Sequence, residues 1–322
     1  PALVVESAGN LPASLAPILG REREIEEVQN LLAHSRALTL TGPGGTGKTR
    51  LALEIGRRIG PSFAGGAWFL DLSAIRDAEL VLPSIAEMLE IELLPDRLAV
   101  DALQTAFGDT PAFMILDNLE QIDAVAPELT ALQTAMPSLT LLMTSRSPVE
   151  VAGEWVYPVP QLALPDLDAL PPPSVLIDNP AVQLFVTRAQ RARADFQLID
   201  GNARPVAEIC HRLDGLPLAI EIAAARARML PPAVILTRLG SSLRLLSRGD
   251  AGNARQQTLR DTIGWSYDLL EIPQRRAFRE FAVFAGGASI EAAEAVLGDI
   301  EVEAEVIDLL EELVDQSLLM IE

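Results

Sequence analysis

The sequence is short of the residues on which several kinds of protein depend. Its 322 residues include one cysteine, Cys210, so no disulfide can form within the chain and a reducing compartment suits it. Two histidines, His34 and His211, with that cysteine cannot supply an ordinary structural zinc site. Aromatics make up only 4%, which disfavours a sandwich-like sheet protein, while abundant Ala and Leu favour helices. No apolar run reaches the roughly 20 residues of a membrane-spanning helix, and the N-terminus lacks the basic-then-apolar pattern of a secretory signal. Positive charge is scarce: 25 Lys plus Arg against 45 Asp plus Glu leave a net charge of −20. A body this acidic repels phosphate backbones and anionic membranes, so neither nucleic acid nor membrane is an expected direct partner, and a cytoplasmic location is expected.

What is present is an alternation of strands and helices, followed by helices alone. The apolar runs Ala37–Thr41, Gly66–Ser73 ("GAWFLDLS"), "AFMILDN", "LTLLMTSR" and the short "EWVYPV" read as strands. Helical stripes lie between them: Ile25, Val28, Leu31 and Leu32, then Lys48–Ile59, then Asp77–Leu89, where Pro83 implies a kink or a later start. This alternation predicts an α/β domain with a parallel sheet over residues 20–165, after a linker at 1–19. A proline-rich connector, 166–178, follows. Val206, Ile209, Cys210 and Leu213 keep the i, i+3, i+4, i+7 spacing in an all-α domain expected at 179–250, and 251–322 reads as a third, compact helical set. Trp265 and Tyr267 are expected core anchors there; Cys210 and His211 are read as packing and surface residues. The start at Pro1 and the end at "SLLMIE" suggest a fragment of something larger.

The chemistry concentrates in "GPGGTGKT", which fits G-x-x-x-x-G-K-[ST] and sits between a strand and a helix. In such a loop Gly42, Gly44, Gly45, Thr46 and Gly47 curl backbone N–H groups around phosphate oxygens, with Pro43 in the turn lacking an N–H of its own and Lys48, Thr49 and Arg50 opening the helix. Lys48 would reach the β- and γ-phosphates and the Thr49 hydroxyl would ligate Mg²⁺. Asp117, ending "FMILD", is the expected second metal-site group, against the plainer role of capping the segment that follows. Asn118 cannot act as a base. Glu120 is the nearest carboxylate to orient water, with a solvated loop glutamate as its alternative. Arg146, after the polar strand end Thr144-Ser145, would stabilise γ-phosphate charge or be a solvated loop arginine. The arginine-rich pieces Arg188–Arg193 and Arg226–Arg228 read as solvated helix faces that pair with acidic neighbours, the alternative being an arginine supplied to a neighbouring protomer's nucleotide.

Four further stretches carry a resemblance to a family. "NLPASLAPILGRERE", "GLPLAIE", "TLRDTIGWSYDLL" and "FAVFAGGASIEAAEAVLG" occur in that order, and with the loop they resemble the NB-ARC branch of the STAND (signal transduction ATPases with numerous domains) superfamily. The similarity is to the ATPase module of large bacterial transcriptional regulators and nucleotide cyclases, and runs from about Asn10 to the C-terminus. It implies that 251–322 is a winged-helix domain, incomplete here because the family's phosphate-sensing histidine would lie beyond Glu322. It implies that Leu19 and Gly20-Arg21 lie at the adenine and over the nucleotide, that Pro217 packs near the base or ribose, and that Arg146 senses the γ-phosphate. Proline also belongs at a helix start, so Pro217 has a plainer explanation too. Many relatives have an acidic pair where this chain has Asp117-Asn118.

The expected function is an ATP/ADP switch that hydrolyses ATP slowly with Mg²⁺, acts on flanking sensor and effector domains and forms an ATP-dependent homo-oligomer. From Thr258 to Glu322 there are four Arg, no Lys and fifteen Asp plus Glu, 4 − 15 = −11, the wrong sign for DNA contact by that region. The rivals are a nucleic-acid motor or clamp loader, which the acidity opposes, a small-molecule kinase, and a nucleotide-binding scaffold without hydrolysis.

Overall fold

The structure is a computed structural model that describes residues 9–13, 17–94, 98–244, 267, 270–284, 287–297, 306–315 and 318–319. Trp265 and most of "TLRDTIGWSYDLL" lie outside these residues. Contacts divide the chain into two units: Pro1–Gly42 with Gly47–Pro160, and Pro43–Thr46 with Gln161–Glu322.

In the first unit the order is α1 (Glu22–Leu32), β1 (Ala37–Thr41), α2 (Lys48–Ile59), β2 (Ala67–Asp71), α3 (Val81–Met88), α4 (Ala99–Phe107), β3 (Ala112–Asp117), α5 (Ala126–Ala135), β4 (Leu139–Ser145) and β5 (Trp155–Pro158). The five strands form one parallel sheet in the order β2-β3-β4-β1-β5. Because both faces of such a sheet are covered, β1 and β3 are buried along their whole length, which is why β3 is apolar up to Asp117, while β1 interleaves buried Thr39 and Thr41 with apolar residues. The pleat sends Phe113 and Ile115 into a core with Ile25, Val28, Leu51 and Ile55, and Met114 and Leu116 into a second core with Val81, Ile85, Leu103 and Leu129. Truncating one of these buried side chains to alanine would cost about 2–5 kcal/mol. A 3₁₀ turn, Ala78–Leu80, precedes α3, so the helix starts late and Pro83 falls in its first turn, where it removes no helical hydrogen bond.

The insertion of β4 between β1 and β3 positions the site. Register pairs Thr41 with Ser145, Leu116 with Met143, and Asp71 with Asp117. The polar C-terminal residues of β2, β3, β4 and β1 therefore line one edge of the sheet. On the outer side of β2, Gly9 bridges Ala67 and the Asn10 side chain exchanges hydrogen bonds with the backbone of Phe69 (2.9 and 2.6 Å). Arg57 Nη2 donates to the Pro12 carbonyl at 2.9 Å. The residues from Gly9 to Pro12 thus cover an edge whose backbone groups would otherwise be free to pair with another chain.

The second unit is helical: α6 (Pro173–Leu176), α7 (Pro180–Ala192), α8 (Asp200–Arg212), α9 (Pro217–Ala225) and α10 (Pro232–Arg244). Val206, Ile209, Cys210 and Leu213 are fully buried, as their spacing predicts, and Phe185 packs on Phe196 with ring centroids 6.1 Å apart. Gly215 takes φ +65, and a Cβ there would lie 2.4 Å from the Leu162 carbonyl, so only glycine admits the close approach sealed by Leu162 N–H to Gly215 O (3.0 Å). Three later helices, α11 (Ile272–Phe281), α12 (Ile290–Leu297) and α13 (Val306–Asp315), share a separate core of Leu270, Ala277, Ala293, Leu297, Leu309 and Leu313. Tyr267 packs against that core, its ring 6.1 Å from Phe278.

Candidate functional site

The loop between β1 and α2 takes shapes that glycine permits and other residues resist. Gly45 and Gly47 have φ +81 and +88, and a Cβ on Gly44 or Gly47 would meet nothing within 4 Å, so the backbone is open to close approach. Gly47 caps α2 without a side-chain hydrogen bond, and no acidic residue occupies the first turn. The N–H groups that open the helix, together with its dipole, form a place for an anion. Thr46 Oγ1 donates to the Pro43 carbonyl at 3.0 Å, bracing the tip.

Lys48 points back along the loop, its Nζ donating to the Gly42 carbonyl at 2.8 Å. It is the only lysine in the sequence. Burial pushes its ammonium below the ordinary lysine range, while the charges of Glu120 and Asp117 pull it up and that of Arg146 pulls it down. A phosphate would add negative charge that offsets the hydration lost on burial.

Asp117 is the hub. It is 2% exposed and accepts from Thr49 Oγ1 at 2.9 Å to each oxygen, from Thr144 Oγ1 at 2.5 Å and from Asn118 Nδ2 at 3.1 Å. Burial drives its carboxyl above the ordinary range; the Thr144 and Thr49 hydrogen bonds oppose this, and the nearby Asp71 and Glu120 carboxylates add to it. Glu120, in the 3₁₀ turn Leu119–Gln121, receives Arg146 Nε on Oε1 at 3.1 Å, and its Oε2 is buried without a hydrogen-bond partner. The structure therefore brings together Lys48, Thr49, Asp117, Glu120 and Arg146, from α2 and the ends of β3 and β4.

The other expected residues are placed by different contacts. Gly20 has φ +61, and Arg21, 3% exposed, pairs with Glu24 at 2.9 Å at the start of α1. Arg50 Nη2 donates to the Pro17 carbonyl at 3.3 Å, holding the stretch that leads to Leu19 beside the first turn of α2. Pro217 opens α9, and within the second unit the Leu218 N–H donates to the Gly45 carbonyl at 3.2 Å.

Two participants escaped the sequence reading. Asp71 ends β2 as Asp117 ends β3, and accepts from Asn118 Nδ2 at 2.9 Å. The signal was there: "WFLD" repeats the apolar-run-then-acid pattern of "MILD". Glu154 accepts from the Thr39 hydroxyl and from the Val149 and Glu150 N–H groups, fixing the loop between β4 and β5; nothing local in the sequence pairs these residues.

The residues fit a magnesium–nucleotide. A hydroxyl and a carboxylate meet at the mouth of an open glycine loop, and among the described residues no three His, Cys, Asp or Glu side chains converge as a self-sufficient metal site. Such a pair suits an ion that takes its remaining ligands from phosphates and water.

A parallel sheet with β4 inserted between β1 and β3, a glycine loop leading into α2 and a strand-end Asp against the loop's Thr define a P-loop NTPase fold. Among curated proteins, an uncharacterised protein of Mycobacterium tuberculosis is 40% identical over 313 residues, 96% of this chain and 76% of its own length. The chain belongs to one family with that protein. A putative HTH-type transcriptional regulator of Mycobacterium tuberculosis is 40% identical over 293 residues, 90% of this chain and 32% of its own length. The regulatory protein AfsR of Streptomyces coelicolor is 30% identical over 338 residues, 96% of this chain and 31% of its own length. The chain thus spans about a third of each named regulator. No protein-family model matches the sequence. Among solved structures, the Walker-type ATPase of Pyrococcus abyssi aligns with a TM-score of 0.46 and 17% identity over 94% of this chain and 93% of its own. Cdc6p from Pyrobaculum aerophilum aligns with 0.43 and 14% over 96% and 88%. No helix among the described residues is long and apolar enough to cross a membrane.

Proposed function

We propose that the chain is an ATP/ADP-binding switch of the NB-ARC branch of the STAND ATPases, which hydrolyses ATP slowly and controls an effector in transcription or signalling. The observation that carries this reading is the junction of the Thr49 hydroxyl with the Asp117 carboxylate beside Lys48, with Arg146 held by Glu120 close by. In this reading the backbone from Gly42 to Arg50 cradles phosphates, Lys48 neutralises them, and Thr49 and Asp117 would hold Mg²⁺. The bound ion would neutralise charge on the phosphate oxygens. Leu19, Gly20, Arg21 and Pro217 would serve the base and ribose, and Arg146 the γ-phosphate. Residues 179–250 and 251–322 would be the lid and winged-helix domains. The names of two relatives, an HTH-type transcriptional regulator and AfsR, support a place in transcriptional control. Flanking domains and an ATP-dependent homo-oligomer are the expected partners, and direct nucleic-acid contact by this chain is not.

Slow turnover follows from what the groups around the site already do. Asn118, tied between two carboxylates, cannot take a proton, and the exposed pair of Arg146 with Glu120 adds only a minor restraint. A switch also requires that ATP and ADP bind its two states unequally. The test measures ATP and ADP affinity, compactness by scattering with each nucleotide, and phosphate release by wild type, Lys48→Ala and Glu120→Gln. Equal affinities with identical scattering curves would sink the switch. The engagement of Asn118 and Glu120 also favours a second reading, a nucleotide-binding scaffold without hydrolysis, which predicts wild-type phosphate release no faster than that of Glu120→Gln.

A further inference from the structure

Asp71 has no role in the reading above, yet its contacts lead to the centre of the site. It is the last residue of β2, in register with Asp117 on the neighbouring strand. Its Oδ1 accepts from the Ser73 N–H at 2.8 Å and from Asn118 Nδ2 at 2.9 Å, and its Oδ2 accepts from Ser73 Oγ at 3.1 Å. Ser73 fixes the carboxylate, and Asn118 reads its position. Asn118 has φ +65 and ψ +40, a left-handed conformation that asparagine tolerates better than most residues. In this conformation its backbone N–H donates to Thr144 Oγ1 at 3.1 Å while its side-chain amide spans Asp71 and Asp117, at 2.9 and 3.1 Å. A strand-end acid that only capped its own turn would need Ser73 and nothing more.

We propose that Asp71 is a positioning residue of the nucleotide site: through the Asn118 amide it sets the orientation in which the Asp117 carboxylate meets Thr49. The inference rests on the reading of Thr49 and Asp117 as the groups that hold a nucleotide-bound divalent ion. Its physical basis is general. A carboxylate that accepts bonds from several donors has its rotation fixed by them, and removing a group that orients a metal-binding side chain typically costs about 10–100-fold in metal affinity. An amide, not a second acid, follows Asp117 in this chain, and a carboxylate one strand away completes the chain of hydrogen bonds.

The experiment follows the fluorescence of N-methylanthraniloyl-ADP bound to the full chain while Mg²⁺ is titrated, with affinity in EDTA measured alongside. Asp71→Ala and Asn118→Ala should each raise the Mg²⁺ concentration for half-maximal effect by about tenfold, with affinity in EDTA unchanged. The double variant should be no worse than either single one, because both break the same chain. Asp71→Asn keeps an acceptor oxygen for Asn118 and Ser73 and should stay within about threefold of wild type, while Ser73→Ala, which removes only the hydroxyl bond to Oδ2 and keeps the backbone N–H bond to Oδ1, should show no rise approaching that of Asp71→Ala. If Asp71→Ala fails to fold, Asn118→Ala carries the same prediction without touching the Ser73 turn. A wild-type Mg²⁺ requirement in Asn118→Ala or Asp71→Ala, or effects that multiply in the double variant, would overturn the proposal alone. A wild-type chain that binds no nucleotide would overturn the function as well.

Discussion

Thr144 offers the sharpest test of how the site is held together. It is 1% exposed, next to last in β4, and its hydroxyl does two jobs: it donates to Asp117 and accepts from the Asn118 N–H. Thr144→Val keeps the branched shape and removes both. A hydrogen bond to a charged acceptor contributes about 1.5–3 kcal/mol, and a buried N–H left without an acceptor costs about 1–3 kcal/mol. Taking values near the low ends, because Asn118 is only partly buried, gives a loss of about 3 kcal/mol. For a domain of about 150–250 residues each kcal/mol lowers Tm by about 2–4 °C, so the variant should melt about 6–12 °C below wild type. Thr144→Ser keeps the hydroxyl and loses one methyl, about 1 kcal/mol, and should melt only a few degrees low. The assay is circular dichroism against temperature for the three proteins. A Thr144→Val variant melting within about 2 °C of wild type, or a Thr144→Ser variant equally destabilised, would refute this account of the hydroxyl.

Three other outcomes follow from the same geometry. Lys48 being the only lysine, an amine-reactive reagent should modify one side chain in the chain, and saturating ADP should slow that modification at least tenfold; labelling that ADP does not affect would contradict the phosphate role. Burial raises the Asp117 carboxyl above the ordinary 3.8, so its protonated form favours the free protein, a contribution present in acid and lost as pH rises through the raised native value. The Mg²⁺-dependent part of nucleotide affinity, which needs the carboxylate, should therefore fail on acidification before the Tm does, and two curves falling together would contradict it. Cys210 is fully buried and its thiol is pushed upward by burial, so a thiol reagent should titrate nothing in the native chain and one group after unfolding.

What could be read in the sequence was whatever is encoded locally. The strands appear because a parallel sheet covered on both faces demands unbroken apolar runs, as in "AFMILD", and the glycine loop because φ values near +80 admit few other residues. The meeting of Lys48, Thr49 and Asp117 could be inferred because the loop sits between a strand and a helix and the acid ends another strand. What could not be read depends on which strand lies beside which. Asp71 and Asp117 are neighbours only because β2 pairs with β3, and Thr144 reaches Asp117 only because β4 enters next to β3. Glu154 reaches Thr39 across a gap of 115 residues. The role of Gly9–Pro12 was hidden for another reason: Asn10 replaces a strand partner with a side-chain amide, leaving no alternating pattern to detect.

The ion pair between Arg146 and Glu120 looks like a lock on hydrolysis, but its strength argues otherwise. The Arg146 side chain is 59% exposed, and exposed pairs contribute about 0–1 kcal/mol once solvent screening is counted. Opening such a pair would cost no more than about a fivefold factor in population, far too little to account by itself for the slow turnover we propose. The larger effect should lie with Asn118, which stands beside Asp117 where a second acid could have taken a proton and instead spends its amide on two carboxylates. Raising ionic strength at saturating nucleotide separates the two explanations, because salt weakens the exposed pair and leaves the buried hydrogen bonds of Asp117 in place. Turnover should rise by less than about fivefold between low and high salt. A rise beyond about tenfold would show that the Arg146–Glu120 pair, and not the missing second acid, holds the rate down.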